Sequence, residues 1–74
     1  MKEKILEILA EIRPEVNFID SKDFIEDGYI DSFGITTLIS ELEREYEISI
    51  LDDDILPENF NTIEHIINLI NKYK

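Results

Sequence analysis

Three stretches of this sequence repeat their apolar residues at helical spacing, and that periodicity limits the chain to packed helices. The clearest runs from Ser32 to Tyr46, where Ile35, Leu38, Ile39, Leu42 and Tyr46 fall at i, i+3, i+4, i+7 and i+11. They make one narrow stripe along a single helix face. Ile5, Leu6, Ile8, Leu9 and Ile12 form an earlier stripe, with Lys2, Glu3, Lys4, Glu7 and Glu11 on the other side, and Pro14 stops that helix at Arg13. Ile63, Ile66, Ile67, Ile70 and Tyr73 form the last. The Ile48-Ser49-Ile50 alternation is too short for a strand and has no second strand to pair with, so it reads as loop.

Local signals place the ends of these helices. Asp31 and Ser32 are both good N-cap residues, so the middle helix starts at one or the other. Asn61, followed three residues later by Glu64, matches a capping box for the last helix. Pro57 to Phe60 has proline where a short helical turn begins. From Pro14 to Asp31 no period is sustained. The pairs Phe18-Ile19, Phe24-Ile25 and Tyr29-Ile30 stand among Asp, Ser, Lys and Gly, as in a long ordered loop that plugs the core, with room for a turn around Ser21 to Ile25. The expected fold is a small all-α four-helix bundle, three long helices plus one short, in a single domain over residues 1–74.

Charge narrows the function. Seven Lys and Arg against 18 Asp and Glu give a formal net charge of -11. The basic residues are scattered with no two adjacent, which argues against nucleic acid and anionic membrane, since both need clustered cations. No apolar stretch is long enough for a membrane span or a signal peptide, so a soluble cytoplasmic protein, monomeric and without membrane insertion, is expected. Protein partners should present basic patches. With no cysteine, the chain has neither disulfide, zinc-thiolate site nor thiol nucleophile of its own. Asp52-Asp53-Asp54 lacks the alternating ligands, central glycine and closing glutamate of a calcium loop, so no metal site is assigned.

One position combines two signals. On a wheel of about 100° per residue, Phe33 points away from the Ile35/Leu38/Leu42 stripe, beside Thr37, Ser40 and Arg44. Ser32 precedes it at the helix mouth, where the dipole favours a phosphate. No base is placed to make Ser32 a hydrolytic nucleophile, because the single histidine, His65, lies on the last helix and off its apolar stripe.

Asp31-Ser32-Phe33, preceded by Asp27-Gly28-Tyr29-Ile30 and followed by the helix carrying Leu38, Leu42 and Glu43-Arg44-Glu45-Tyr46, resembles the phosphopantetheine attachment region of acyl carrier proteins. The likeness continues through Ile48, Asp52 to Asp54, Leu56, Phe60 and Thr62-Ile63. It implies that Ser32 is an anchor and not a catalyst. A phosphopantetheinyl transferase would move 4′-phosphopantetheine onto it from coenzyme A, and the arm's thiol would hold an acyl or aminoacyl thioester. Asp31 would serve as cap, as transferase contact, or both. Phe33, Thr37, Ser40, Glu41 and Arg44, flanked by Glu43, Glu45 and Glu47, would face acyl- or aminoacyl-activating and transferring enzymes with basic docking surfaces. Leu38, Ile39, Leu42, Ile63, Ile66 and Ile67 would line the core.

The chain departs from the fatty-acid pattern at Phe33, Gly34 and Thr37, and Arg44 interrupts the later acidic run. Gly34 with Glu41-Leu42 is more like D-alanyl carriers, whereas Leu56-Pro57-Glu58-Asn59-Phe60 is closer to ordinary acyl carriers. An acidic binding module without a prosthetic group is the rival reading.

Overall fold

The computed structural model describes residues 1–74 and is all-helical: α1 (Lys2–Ile12), α2 (Ser32–Tyr46) and α3 (Ile63–Tyr73). Short 3₁₀ turns stand at Phe18–Asp20, Asp52–Asp54 and Pro57–Asn59. Each stripe turns inward. Ile5, Ile8 and Leu9 of α1, Leu38 and Leu42 of α2, and Ile66, Leu69 and Ile70 of α3 are buried together, and the loops add Phe18, Phe24, Ile30, Ile50 and Phe60. No polar side chain is buried in this core. Ile39, Ile63 and Ile67, expected inside, are only half-buried at its edges.

The Pro14–Asp31 loop is tied into the core by aromatic packing and backbone hydrogen bonds. Phe18 meets Phe24 edge to face at 5.1 Å and Tyr29 at 5.8 Å, the geometry that aromatic quadrupoles favour. The Phe24 amide donates to the Asn61 carbonyl at 2.8 Å, while the Phe24 carbonyl accepts from the amides of Tyr29 and Ile30. A 3₁₀ turn falls at Phe18–Asp20, where the Asn17 side chain accepts from the Ile19 amide, and a second helical turn overlapping the one expected around Ser21 to Ile25 starts at Asp23, whose carbonyl accepts from the Asp27 amide at 2.9 Å. Ser21 is committed otherwise: its hydroxyl donates to Asp27 and accepts from the Asp23 amide.

The helix ends follow from their caps. Asp31 Oδ1 accepts from the Gly34 amide at 2.8 Å, so Asp31 is the N-cap of α2 and Ser32 its first residue. α2 ends at Glu47, whose φ of 54° is left-handed and turns the chain out. Thr62, not Asn61, caps α3, its Oγ1 accepting from the His65 amide at 3.0 Å. Asn61 is used elsewhere: its side chain donates to Asp23 Oδ2 at 3.0 Å and lies 2.7 Å from His65 Nδ1. The second loop has its own clamp. Asp54 accepts from Lys72 at 2.8 Å and from the Tyr73 hydroxyl, which in turn accepts from the Leu51 amide.

Candidate functional site

Ser32 is exposed at the first turn of α2. Its hydroxyl makes no hydrogen bond, and neither its amide nor that of Phe33 has an acceptor within the chain. A free hydroxyl beside unpaired N–H groups at the positive end of a 15-residue helix fits a phosphodiester. Two contacts fix the approach to it. Arg13 Nη1 donates to the Tyr29 carbonyl at 3.2 Å, tying the end of α1 to the chain just before Ser32. Gly34 is buried with so little space that an added Cβ would stand 3.1 Å from Ile30 Cγ2, so glycine lets that chain close onto α2.

Beside Ser32 runs an open groove of about 410 Å³ between α2 and the second loop. Ile35 and Ile39 form one side and Ile55, Leu56 and Pro57 the other, with the hydroxyl residues Thr36 and Ser40 at the margin. The sequence reading missed the loop side. Its signal was the Ile55-Leu56-Pro57 run, which is apolar yet belongs to no stripe and has 38% and 42% of its first two residues exposed.

The expected α2 surface divides into parts. Phe33 is 69% exposed, in line with the wheel. Thr37 donates its hydroxyl to the Phe33 carbonyl, and Arg44 holds Glu41 through both carboxylate oxygens at 2.6 and 2.8 Å, so these residues carry no free unit charge. Ser40 belongs to the groove. Glu43, expected on the flank of that surface, is turned to the second loop. It is half-buried and its Oε2 accepts from the Ile50 amide at 2.9 Å, fastening the second loop to α2. His65 is exposed, with Nδ1 2.7 Å from Asn61 Oδ1, while Asn61 Nδ2 donates to Asp23. Asp52 to Asp54 form a 3₁₀ turn, and no group of three potential ligands converges on one point. No helix is long and apolar enough to cross a membrane.

Comparison with known proteins bears on the family. The family model for a phosphopantetheine attachment site matches residues 3–70. The chain is 28% identical to the D-alanyl carrier protein of Bacillus velezensis over 99% of its own length and 96% of the relative's. It is 32% identical to the acyl carrier protein of Kocuria rhizophila, covering 93% and 90%, and 35% identical to the D-alanyl carrier protein of Streptococcus suis, covering 92% and 87%. No solved structure gives a significant match.

Proposed function

This chain belongs to the phosphopantetheine-attachment family of carrier proteins, a family that implies a covalent 4′-phosphopantetheine and no enzymatic activity, and on that premise we propose that Ser32 is the attachment residue. The observation that carries the reading is the unbonded, exposed Ser32 hydroxyl at the α2 N-terminus, opening on the apolar groove. Once attached, the arm supplies the thiol that cysteine-free residues 1–74 lack, and its cargo is held as a thioester.

Each neighbouring residue then has a task of its own. Ser32 provides the oxygen that forms the new bond to phosphorus as the pyrophosphate linkage of coenzyme A breaks and 3′,5′-ADP leaves, and its proton passes to a base on the transferase, since no base of this chain hydrogen-bonds the Ser32 hydroxyl. Asp31 holds the first turn of α2 open-ended by capping Gly34, so the carboxylate is engaged before any phosphate arrives. Phe33, with Thr37, Ser40, Glu41 and Arg44 behind it, offers the contact surface for the transferase and for enzymes that load and unload the arm. Residues 1–74 act as one carrier domain, monomeric and cytoplasmic in this reading.

The cargo is an acyl or aminoacyl group, and a small one such as D-alanine is favoured by the packing under the groove. Leu38 and Leu42 have no exposed surface, so cargo would lie along the outside of α2 beside Ile35, Ile39 and the Thr36 and Ser40 hydroxyls.

Incubation with coenzyme A, Mg²⁺ and a broad-specificity phosphopantetheinyl transferase, read by intact mass, tests the assignment. The expected result is a gain of one phosphopantetheine that is absent from Ser32→Ala. An unmodified wild-type chain beside a modified control carrier, or a Ser32→Ala chain that still gains the mass, overturns it. Offering the loaded protein to amino-acid-activating and fatty-acyl-activating enzymes then separates the two cargoes.

A further inference from the structure

A second groove, of about 430 Å³, lies away from Ser32 between the start of α1, the first loop and the start of α3. Its floor is apolar, formed by Leu6, Phe18, Phe24, Ile63 and Ile67. The basic residues show what its rim is suited to. Of the seven in the chain, five are engaged internally. Lys4 pairs with Glu7, Arg13 with Glu15, Arg44 with Glu41 and Lys72 with Asp54, while Lys74 donates to the Tyr46 carbonyl. The two that make no ion pair or hydrogen bond, Lys2 and Lys22, both line this groove. They approach it from different elements, α1 and the first loop. In a chain of net charge -11, the uncommitted positive charge is thus gathered over a single apolar floor.

We propose that this groove binds a free medium-chain aliphatic carboxylate, its alkyl chain on the floor and its head group between Lys2 and Lys22. Charge decides the occupant. An acidic protein or a polyphosphate would meet the repulsion of the whole chain with every charge it carries, whereas a fatty carboxylate brings a single charge and offsets it by apolar burial. Glu64, the one acid in the lining, offsets one of the two lysines, so the rim has room for about one anionic charge. Lysine stems also extend apolar cover over an alkyl chain while their ammonium groups stay hydrated.

The test is a titration of the isotopically labelled full chain with octanoate, below its micellar range, followed by amide chemical shifts. Saturable shifts are expected at Leu6, Lys22, Ile63 and Ile67. 1-Octanol, which has the chain without the charge, should bind at least tenfold more weakly, and Lys2→Gln combined with Lys22→Gln should raise the octanoate Kd about tenfold. Because both lysines are exposed and unpaired, this variant keeps its fold. Ser32→Ala should bind octanoate as the wild type does, which makes the outcome independent of the attachment site. Shifts confined to the Ser32 groove, absence of saturation, octanol binding as tight as octanoate, or an undiminished double variant would each overturn the proposal.

Discussion

The two grooves have almost the same volume, about 410 Å³ beside Ser32 and about 430 Å³ between α1 and α3, yet they are built differently. No charged side chain lines the first, in a chain whose residues are 34% charged, whereas two free lysines, Glu64 and His65 line the second. Their floors differ as well. The α1/α3 groove is a notch cut down to Phe18 and Phe24, which are 5% and 1% exposed. The Ser32 groove is an apolar strip laid over the surface, with Ile35 and Ile39 half-buried and Ile55 and Leu56 exposed. A neutral, shallow strip suits a tethered group that must come and go, since it gives weak contact and no charge to desolvate. A charged notch suits a free ligand that has to supply its own affinity.

The contrast in floors carries the largest expected effect. Phe24→Ala removes a ring packed in the core and edge to face with Phe18, and should cost about 3 to 5 kcal/mol. That is a large part of the stability available to a domain of this size. Ile39→Ala takes less buried surface from the Ser32 strip and should cost roughly 1 kcal/mol. Thermal or urea unfolding of both variants compares them directly. Equal losses would mean that the strip is as much core as the notch.

The outer wall of each groove is pinned by a carboxylate, and acid should release both. Asp54 anchors the loop that carries Ile55, Leu56 and Pro57, and the hydrogen bond from Lys72, followed by that from Tyr73, holds its carboxyl below the ordinary 3.8. Asp23 anchors the loop that carries Lys22 and Phe24. The Glu26 amide, then Asn61 and the Ile25 amide, hold it low too, against desolvation. A depressed folded value means that the contribution is present above the unfolded value and lost as pH falls through the folded one, so both walls should loosen below about pH 3.8. Lys72 is raised above 10.5 by Asp54, so its contribution is complete below 10.5 and disappears as pH climbs past the raised value. Tyr73 is raised as well by its hydrogen bond to Asp54, and Tyr46 at the end of α2 by burial, so the alkaline limit belongs to the second loop and the end of α2 and not to the first loop. Amide exchange measured across pH should show residues 51–60 freed at both extremes and residues 18–30 freed only in acid. Asp54→Ala should free the 51–60 segment at neutral pH and leave the first loop protected.

These anchors also mark where the sequence was readable. The stripes of α1, α2 and α3 and the exposure of Phe33 follow from a 3.6-residue period, which depends on near neighbours alone. The position of Ser32 at a helix start followed from Asp31, a local cap. Ile63 and Ile67 belong to a stripe that is correct in phase but wider than the core it meets, so periodicity placed them inside although they floor the second groove. Asn61 looked like a cap because its spacing to Glu64 is right. Its real partners, Asp23 and the Phe24 amide, lie far away in sequence, and no local pattern encodes them. Glu43 is a similar case: on a wheel it belongs to an acidic flank, and only the return of the chain at Ile50 gives it a backbone amide to hold.

The smallest expected change in stability separates exposure from contact. Phe33 and Leu51 are 69% and 64% exposed, and Leu51 lies outside both grooves. Replacing either with alanine should shift stability by no more than about 0.5 kcal/mol, as for other surface positions without special contacts. In Phe33→Ala, the better helix propensity of alanine works against even that loss. Modification by the transferase should respond to one and not the other. Phe33→Ala removes an aromatic one residue from the reacting hydroxyl, and kcat/KM for phosphopantetheine transfer should fall about tenfold, the equivalent of roughly 1.4 kcal/mol of contact. Leu51→Ala should react at the wild-type rate. If both variants react alike, the aromatic beside Ser32 is merely exposed, and recognition of the Ser32 groove must come from Ile55, Leu56 and Pro57 on its opposite side.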